Sequence, residues 1–580
     1  MGTGPRRLLI ANRGEIAVRV ARACHELGIE SVAAFESPDR GALHVEAADA
    51  AVEVPSYIDP GALVAAARDM GADAVHPGYG FLAENAAFAE AVAAAGLIWV
   101  GPPPAAMRAA GDKIEARRLA EAAGVPVAPG YAGVDLGDDT LVREAVRLGL
   151  PILVKAAAGG GGRGMRVVES MEALPAAIAA ARREAEAAFG DGRVYLEALL
   201  RGARHVEVQV LADAHGHAVH LGERDCSLQR RHQKIVEEAP SPAVDGDLRA
   251  ALGDAAVTIA RAAGYVGAGT AEFLLADDGS WHFLELNARL QVEHPVTEAV
   301  AGTDLVRAQL AIASGEPLEM EQMDVDLRGH ALECRLYAED PAAGFLPAAG
   351  RLLALDFPRW PGVRVDTGVR AGDEVGVRYD PLLAKVIAQA EDRDACIDRM
   401  AAALAETTVL GVATNLGFLR WVLEQEAFRA GAAATDFVDT TWNPGLVPEL
   451  PEAVRRAALA RLHADGSPWH AFGPPQPPVR SAGRFVLHRG WQYEIGDEGP
   501  AAAALRPGGS LSAPMPGTVL RVDVGPGEHV PAGRTLLLLE AMKMELAVAA
   551  PGAGVVTAVL VRPGELVSRG QALVELEPDE

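Results

Sequence analysis

The sequence predicts an α/β chain of several domains that ends in a small all-β domain. Three observations carry this. Residues 6–110 alternate short apolar strands with Ala-rich helical stretches, the pattern of a doubly wound sheet. At 580 residues, half of them apolar and 23% charged, the chain is long enough for about three to four globular cores. Near the carboxyl end, Ala513–Glu540 laid on Ala550–Glu577, a shift of 37 without gaps, matches at 14 of 28 positions.

The elements follow in order. Strands at 8–11, 31–35, 74–76 and 98–101 alternate with helices at 16–27, 61–70 and 85–95. Asn12-Arg13-Gly14-Glu15 opens the first helix but is not Gly-x-Gly-x-x-Gly, which argues against a dinucleotide site. Residues 111–200 read as a helix followed by a hairpin region with a Gly-rich loop. Residues 201–445 carry strands, then charged motifs, then helices at 393–407 and 418–426. Around 446–510 the composition shifts to Gly473-Pro474-Pro475-Gln476-Pro477-Pro478 and an Ala-rich close, with a helix near 451–463 and a hairpin at 485–495 between proline-rich flanks. The aromatic Phe485, Trp491 and Tyr493 of that hairpin, with Trp469, are more than a tether needs, and point to a docking surface. The repeat at 511–578 reads as paired short strands broken by Pro-Gly and Ala-Gly turns, a pseudo-symmetric β-sandwich or flattened barrel.

A net charge of −26 argues against a nucleic-acid or acidic-membrane binder, so anionic substrates must be met by local clusters of cations. Cys24, Cys226, Cys334 and Cys396 are widely spaced and read as free thiols in a reducing compartment. No apolar run reaches membrane or signal-peptide length, so the chain reads as cytoplasmic.

Only five of the 53 Lys plus Arg are lysines. Where arginine does the generic surface work, a surviving lysine is a candidate for a job that needs a primary amine. Lys543 stands in Glu540-Ala541-Met542-Lys543-Met544, in the turn that joins the two halves of the repeat. Lys155 ends the strand Pro151-Ile152-Leu153-Val154-Lys155 and runs into Gly159-Gly160-Gly161-Gly162, whose backbone N–H groups could close on phosphate oxygens. Alone, such a run is a flexible turn. With Lys155 before it and Lys113 upstream, a nucleoside triphosphate site is the better reading.

Two strands around 269–274 and 282–287, joined by an Asp-Asp-Gly turn, would set Glu272 beside Glu285, with Asn287 on the same face as Glu285. Two carboxylates and an amide oxygen are hard ligands suited to Mg²⁺ or Mn²⁺. Beyond Asn287 the polar residues Arg289, Gln291 and Glu293 alternate with Leu290 and Val292. If extended, they point into one pocket, and His294-Pro295 ends the run. Asp225 to Lys234 supplies a basic cluster.

These motifs together resemble the biotin carboxylases of the ATP-grasp group. The resemblance runs over about 5–445, through Ile10-Ala11-Asn12-Arg13-Gly14-Glu15, His76-Pro77-Gly78-Tyr79-Gly80-Phe81, the Gly-rich loop, Arg224 to Lys234 and Asn287 to Pro295. Ala-Met-Lys-Met resembles the biotin-accepting turn of carrier domains; lipoyl domains share that fold but usually lack the flanking methionines. The whole chain is therefore similar to the α subunit of a biotin-dependent acyl-CoA carboxylase. The resemblance implies a pre-ATP-grasp domain at 1–112, an ATP-grasp domain at 113–328, a carboxylase C-terminal domain at 329–445, a linker or abbreviated docking module at 446–510 and a biotinyl domain at 511–578.

It also implies roles. Lys113, Lys155, Gly161 and Gly162 would hold ATP phosphates. Glu197, Ala198, Leu199 and Leu200 would meet adenine through backbone, with His205, Gln229 and His232 lining the nucleotide site. Glu272, Glu285 and Asn287 would bind Mg²⁺ or Mn²⁺. Lys234, Arg289, Gln291 and the Val292 N–H would grip bicarbonate, with Glu293 as base, while Arg335 and Tyr79 would meet biotin, carried on Lys543. Ala83 and Ala288 depart from the usual residues without changing a reacting group. Implied partners are biotin protein ligase and a carboxyltransferase β subunit in a hetero-oligomer, with the acyl group open among acetyl, propionyl, methylcrotonyl and longer chains. Two rivals stand: another ATP-grasp ligase, which leaves Ala-Met-Lys-Met unexplained, and a non-catalytic carrier, for which a lost lysine or carboxylate is required and none is lost.

Overall fold

The structure, a computed structural model, describes residues 4–579 except 160–163, 232, 463–479, 483, 496–509, 514–516, 542–543 and 568–569. Its first five strands form a parallel sheet in the order Ala50–Glu53, Glu30–Phe35, Arg7–Ile10, Ala74–His76, Ile98–Trp99. Helices Gly14–Leu27, Pro60–Asp69 and Ala86–Ala94 connect them, and Leu8, Leu9 and Ile10 are buried in the core. The chain winds one way from Arg7–Ile10 and then returns to the other side of it. That reversal opens a crevice past the carboxyl ends of Arg7–Ile10 and Ala74–His76. Asn12 ties the two crevice loops together, its Nδ2 donating to Pro77 O at 2.7 Å and Tyr79 O at 2.8 Å. Gly78 has φ +62°, and a Cβ there would come within 2.9 Å of the Asn12 amide.

Residues Gly130–Tyr131, Val194–Ala198, Ile152–Ala156 and Arg166–Val168 form a separate four-stranded sheet backed by helices Asp138–Leu148 and Leu174–Phe189. The central element is an antiparallel sheet of eight strands. Its order is Trp281–Asn287, Gly267–Leu275, Arg204–Ala212, Ala218–Arg230, Gln233–Ala239, His330–Tyr337, Leu382–Ala390, Val363–Thr367. This sheet passes unbroken across 328/329, where the resemblance implies a domain boundary. The ladder there pairs Val236 with Cys334, Glu237 with Glu333, Glu238 with Leu332 and Ala239 with Ala331. Helices Arg393–Glu406 and Leu416–Glu424 bring Cys396, Ile397, Met400, Leu404 and Phe418 into the core against it.

The described part of 446–510 is packed rather than loose. Strands Arg480–Ala482, Phe485–His488 and Trp491–Glu494 form a small antiparallel sheet. Arg489 (φ +51°) and Gly490 (φ +86°) close its second hairpin, the left-handed pair such a two-residue loop requires. Trp491, 8% exposed, lies parallel to Trp442 with ring centroids 6.0 Å apart, and Gly417 leaves it room: a Cβ there would strike the indole. Val486 and Ile495 pack with Ala457 and Ala458 of helix Glu452–Leu462. The expectation of a docking surface built on these aromatics needs correction at Trp491, which is spent on the carboxylase core. Trp469 lies outside the described residues.

The carrier repeat is a sandwich of two four-stranded sheets, in the orders Ser510–Ser512, Ala572–Pro578, Gly554–Val559, His529–Val530 and Met544–Ala549, Thr535–Ala541, Gly517–Val522, Leu566–Val567. The shift of 37 maps one sheet onto the other. Buried Val519 and Val556, Val530 and Val567, Leu536 and Leu573 are equivalent, and turn glycines Gly527 (φ +87°) and Gly564 (φ +85°) repeat. Among the described residues no helix is long and apolar enough to cross a membrane.

Candidate active site

Glu272 and Glu285 are register partners in the hairpin of Gly267–Leu275 and Trp281–Asn287, so the hairpin sets the two carboxylates side by side. Like charges directly opposite repel unless cations intervene. Here they do. Lys113 Nζ hydrogen-bonds Glu285, Lys234 Nζ reaches Glu272 Oε1 at 2.9 Å and His205 Nε2 lies 2.9 Å from Glu272 Oε2. Burial would raise both carboxyls, but Lys234 and His205 hold Glu272 well below its ordinary range and Lys113 holds Glu285 below it. Burial would likewise depress the His205 imidazole, and Glu272 outweighs it, so His205 is raised. Asn287 Nδ2 donates to Glu272 Oε1 at 2.9 Å, and its Oδ1 accepts from Arg289 at 3.3 Å.

Past Asn287 the strand ends. The expected extended run does not continue beyond it: the chain bends at Arg289, turns at Val292 and Glu293, and helix His294–Ala301 begins. Pro295 sits in its first turn, where a missing N–H costs nothing, so His294-Pro295 starts a helix rather than ending a strand. Glu293 therefore occupies the helix N-cap, where the dipole favours its negative charge.

Glu293 is wholly buried. Its Oε1 accepts from Lys234 Nζ at 2.7 Å and its Oε2 from Arg335 Nη2 at 2.9 Å. Burial alone would raise this carboxyl, but Lys234, Arg335 and Arg224 outweigh it and hold it well below its ordinary range. Lys234 also hydrogen-bonds Glu207. Burial would strip its proton, yet Glu207, Glu272 and Glu293 raise its pKa well above the ordinary value. Arg289 donates to Gln291 Oε1 at 2.7 Å and pairs with Glu84 at 3.2 Å, and Gln291 Nε2 reaches Glu272 Oε1 at 3.1 Å. Gln229 is the ladder partner of Lys234.

The structure thus brings Lys113, Lys234, His205, Glu272, Glu285, Asn287, Arg289, Gln291, Glu293 and Arg335 into one connected cluster. Lys155 joins at its edge, paired with Glu197 at 2.5 Å. The N–H groups of Ala198 and Leu199 are committed to Pro129 O at 2.7 Å and Pro151 O at 3.1 Å, so these two donors along 197–200 are already spent within the protein. Gly161, Gly162, His232 and Lys543 lie outside the described residues. The strands flanking 542–543 pair up to Ala541 with Met544.

Several participants were given no role by the sequence. Wholly buried Arg224 holds Glu207 at 2.6 Å and also reaches Gln209, Thr270 and Thr297. Lys385, wholly buried, pairs with Glu15 at 3.0 Å and donates to Val292 O at 2.8 Å; Tyr79 hydrogen-bonds the same Glu15. Through Glu15 and Lys385, Tyr79 in the crevice is linked to the loop that carries Glu293. Lysine scarcity was the signal that could have found Lys385. Glu237 and Glu333, also buried, gave none.

Models of four families match the chain: "Biotin carboxylase, N-terminal domain" over 5–107, "Carbamoyl-phosphate synthase L chain, ATP binding domain" over 112–321, "Biotin carboxylase C-terminal domain" over 333–440 and "Biotin-requiring enzyme" over 509–576. The propionyl-CoA carboxylase alpha chain of Ruegeria pomeroyi is 38% identical, over 93% of this chain and 95% of its own. The chain belongs to the α subunits of biotin-dependent acyl-CoA carboxylases. The methylcrotonoyl-CoA carboxylase α subunit of Dictyostelium discoideum is 43% identical over 84% of this chain and 71% of its own. Among solved structures, the biotin carboxylase domain of Hydrogenobacter thermophilus 2-oxoglutarate carboxylase, in complex with MgADP, ADP and bicarbonate, matches with a TM-score of 0.74 and 41% identity, covering 75% of this chain and 98% of that one. Biotin carboxylase of Campylobacter jejuni matches with a TM-score of 0.73 at 40% identity, over the same shares.

An α subunit of this family is a biotin carboxylase joined to its biotin carrier, a ligase that uses ATP, a divalent cation and covalent biotin. The donor set fits such a cation. Glu272, Glu285 and an Asn287 oxygen, after rotation of its amide, are three hard donors on adjacent strands whose charge is now balanced by lysines.

Proposed function

We propose that this chain carboxylates the biotin on its own carrier, using bicarbonate and ATP, with Glu293 as the base that activates bicarbonate. The observation that carries this is the wholly buried Glu293 carboxylate clamped between Lys234 and Arg335. Those cations keep it ionised and weakly basic. A bicarbonate anion drawn onto Lys234, Arg289, Gln291 and the Val292 N–H competes for the same cations and adds negative charge beside Glu293. Both effects raise its affinity for a proton. Glu293 then takes the bicarbonate proton, freeing an oxygen to attack the ATP γ-phosphate, with ADP as leaving group and carboxyphosphate as product. Lys113 and Lys155 hold the phosphates and stabilise developing charge. The cation, on Glu272, Glu285 and Asn287, supplies further charge neutralisation at the triphosphate. Biotin, on Lys543, would supply the ureido nitrogen that takes up CO₂, its N–H proton passing to the phosphate released with that CO₂, and Arg335 would orient the ureido group with Tyr79 nearby.

Glu293→Gln tests the assignment. Bicarbonate-dependent ADP release should fall at least about 1,000-fold, the scale of losing a general base with its charge, while ADP affinity changes little. Near-normal turnover in that variant places the base elsewhere.

The second half of the proposal concerns partners. The carboxyl group passes to an acyl-CoA on a separate carboxyltransferase β subunit, in a cytoplasmic hetero-oligomer, and biotin protein ligase loads Lys543. The α-subunit relatives support this reading. Co-purification of the β subunit followed by an acyl-CoA panel tests it and names the acyl group.

A further inference from the structure

Behind Arg335 lies an acid pair to which the mechanism gives no role. Glu237 and Glu333 are directly opposed across the ladder that joins Gln233–Ala239 to His330–Tyr337, so their side chains leave the same face of the sheet. Both are wholly buried. Glu237 accepts from Arg335 Nε at 2.5 Å through one oxygen, while its other oxygen and both oxygens of Glu333 have no hydrogen-bond partner. Lys385 is the ladder partner of Arg335 and pairs with Glu15. The charged groups facing the acids are Lys234 on the strand of Glu237, Arg335 on that of Glu333, Lys385 on the next strand and Glu293 at the helix start.

Two buried carboxylates opposite one another, one of them without a donor, cannot both carry charge at acceptable cost. The proton belongs on Glu333, because Glu237 already has a guanidinium to answer its charge. We propose that Glu237 and Glu333 form a one-proton carboxyl pair that makes Glu237 a positioning residue for Arg335. Arg335 is shared between Glu237 and Glu293. When Glu293 accepts the bicarbonate proton it loses its charge-assisted hold on Arg335, and Glu237 is then the anchor that keeps the guanidinium aimed at biotin. The titration directions agree. Burial raises Glu237 to about 7 against the pull of Arg335, and burial raises Glu333 well above its ordinary range against Lys385.

The inference rests on Glu293 and Arg335 acting as proposed above, and the test separates the two. In the full-length biotinylated chain, Glu237→Gln should lower kcat/KM for bicarbonate-dependent ADP release about 100-fold, the cost of a misplaced group, with ADP affinity retained. The wild-type rate should fall as pH drops through about 7, where Glu237 takes up a proton, and this acid limb should vanish in Glu237→Gln. Glu333→Gln replaces one neutral group by another and should keep the limb in place. Wild-type limb and rate in Glu237→Gln, with turnover lost in Arg335→Gln, overturn the positioning role alone. Full turnover in Arg335→Gln overturns the reading of Arg335 beneath it. Should Glu237→Gln fail to fold, infrared spectra of the wild-type chain at about pH 8 decide: a buried protonated-carboxyl band that Glu333→Gln lacks supports the pair, and its absence from wild type overturns it.

Discussion

Each lysine in the described chain is paired with a buried or half-buried carboxylate: Lys113 with Glu285, Lys155 with Glu197, Lys234 with Glu207, Glu272 and Glu293, and Lys385 with Glu15. A compact ammonium fits between carboxylates where a planar guanidinium needs more room. Lys385→Met should therefore disturb the loop at Val292 and raise the bicarbonate KM about tenfold, more than that for ATP, in steady-state kinetics. Equal effects on both constants refute that role. Burial raises the partner Glu15 to about 7 from an ordinary 4.5, against Lys385. A carboxyl raised in this way favours the folded state fully below about 4.5 and loses that contribution as pH rises through about 7. Glu15→Gln cannot titrate, so its melting temperature should gain on wild type as pH climbs across that window. Lys113, Lys155 and Lys234 were legible because a scarce amine stood inside a motif. Glu207, Glu237 and Glu333 were not, since a glutamate on an alternating strand faces solvent as readily as core until the sheet closes over it.

Strands were more legible than their ends. The Glu272–Glu285 hairpin follows from two apolar alternations around an Asp-Asp-Gly turn, and its register is the one that pairs the two acids. The turn at Val292 was misread because alternation of polar and apolar residues describes an extended chain and a tight turn equally well over so few positions. The hairpin at 485–495 was placed correctly along the chain, yet its aromatic side faces inward, a choice made by Gly417 and Trp442 far away in sequence. Trp491→Ala should cost about 3 kcal/mol by removing a largely buried indole, read as a lower denaturant midpoint of the carboxylase unit. An unchanged midpoint means the strap is dispensable. In the carrier, Lys543 is the only lysine, so Lys543→Arg should abolish streptavidin binding and acyl-CoA carboxylation while ADP release with free biotin survives. Persistent streptavidin signal removes Lys543 as the attachment point.

At the scale of the whole molecule, a run of four-residue register crosses 328/329 and carries Glu237 and Glu333 on facing strands. The resemblance places a boundary in that loop, and the residues themselves offered no correction, because strand pairing between distant segments leaves no local trace. The chemistry straddles the seam: Lys234 comes from one side of it and Arg335 from the other, and both hold Glu293. The consequence concerns inheritance. A gene fusion or crossover at 496–509 exchanges the carrier without cutting any described ladder. One at 328 joins strands from different lineages, and the offspring must fit a ladder, a helix cap and a buried charge cluster together at once. Exchange at the first join spares the carboxylase; exchange at the second divides its charge cluster between two parents.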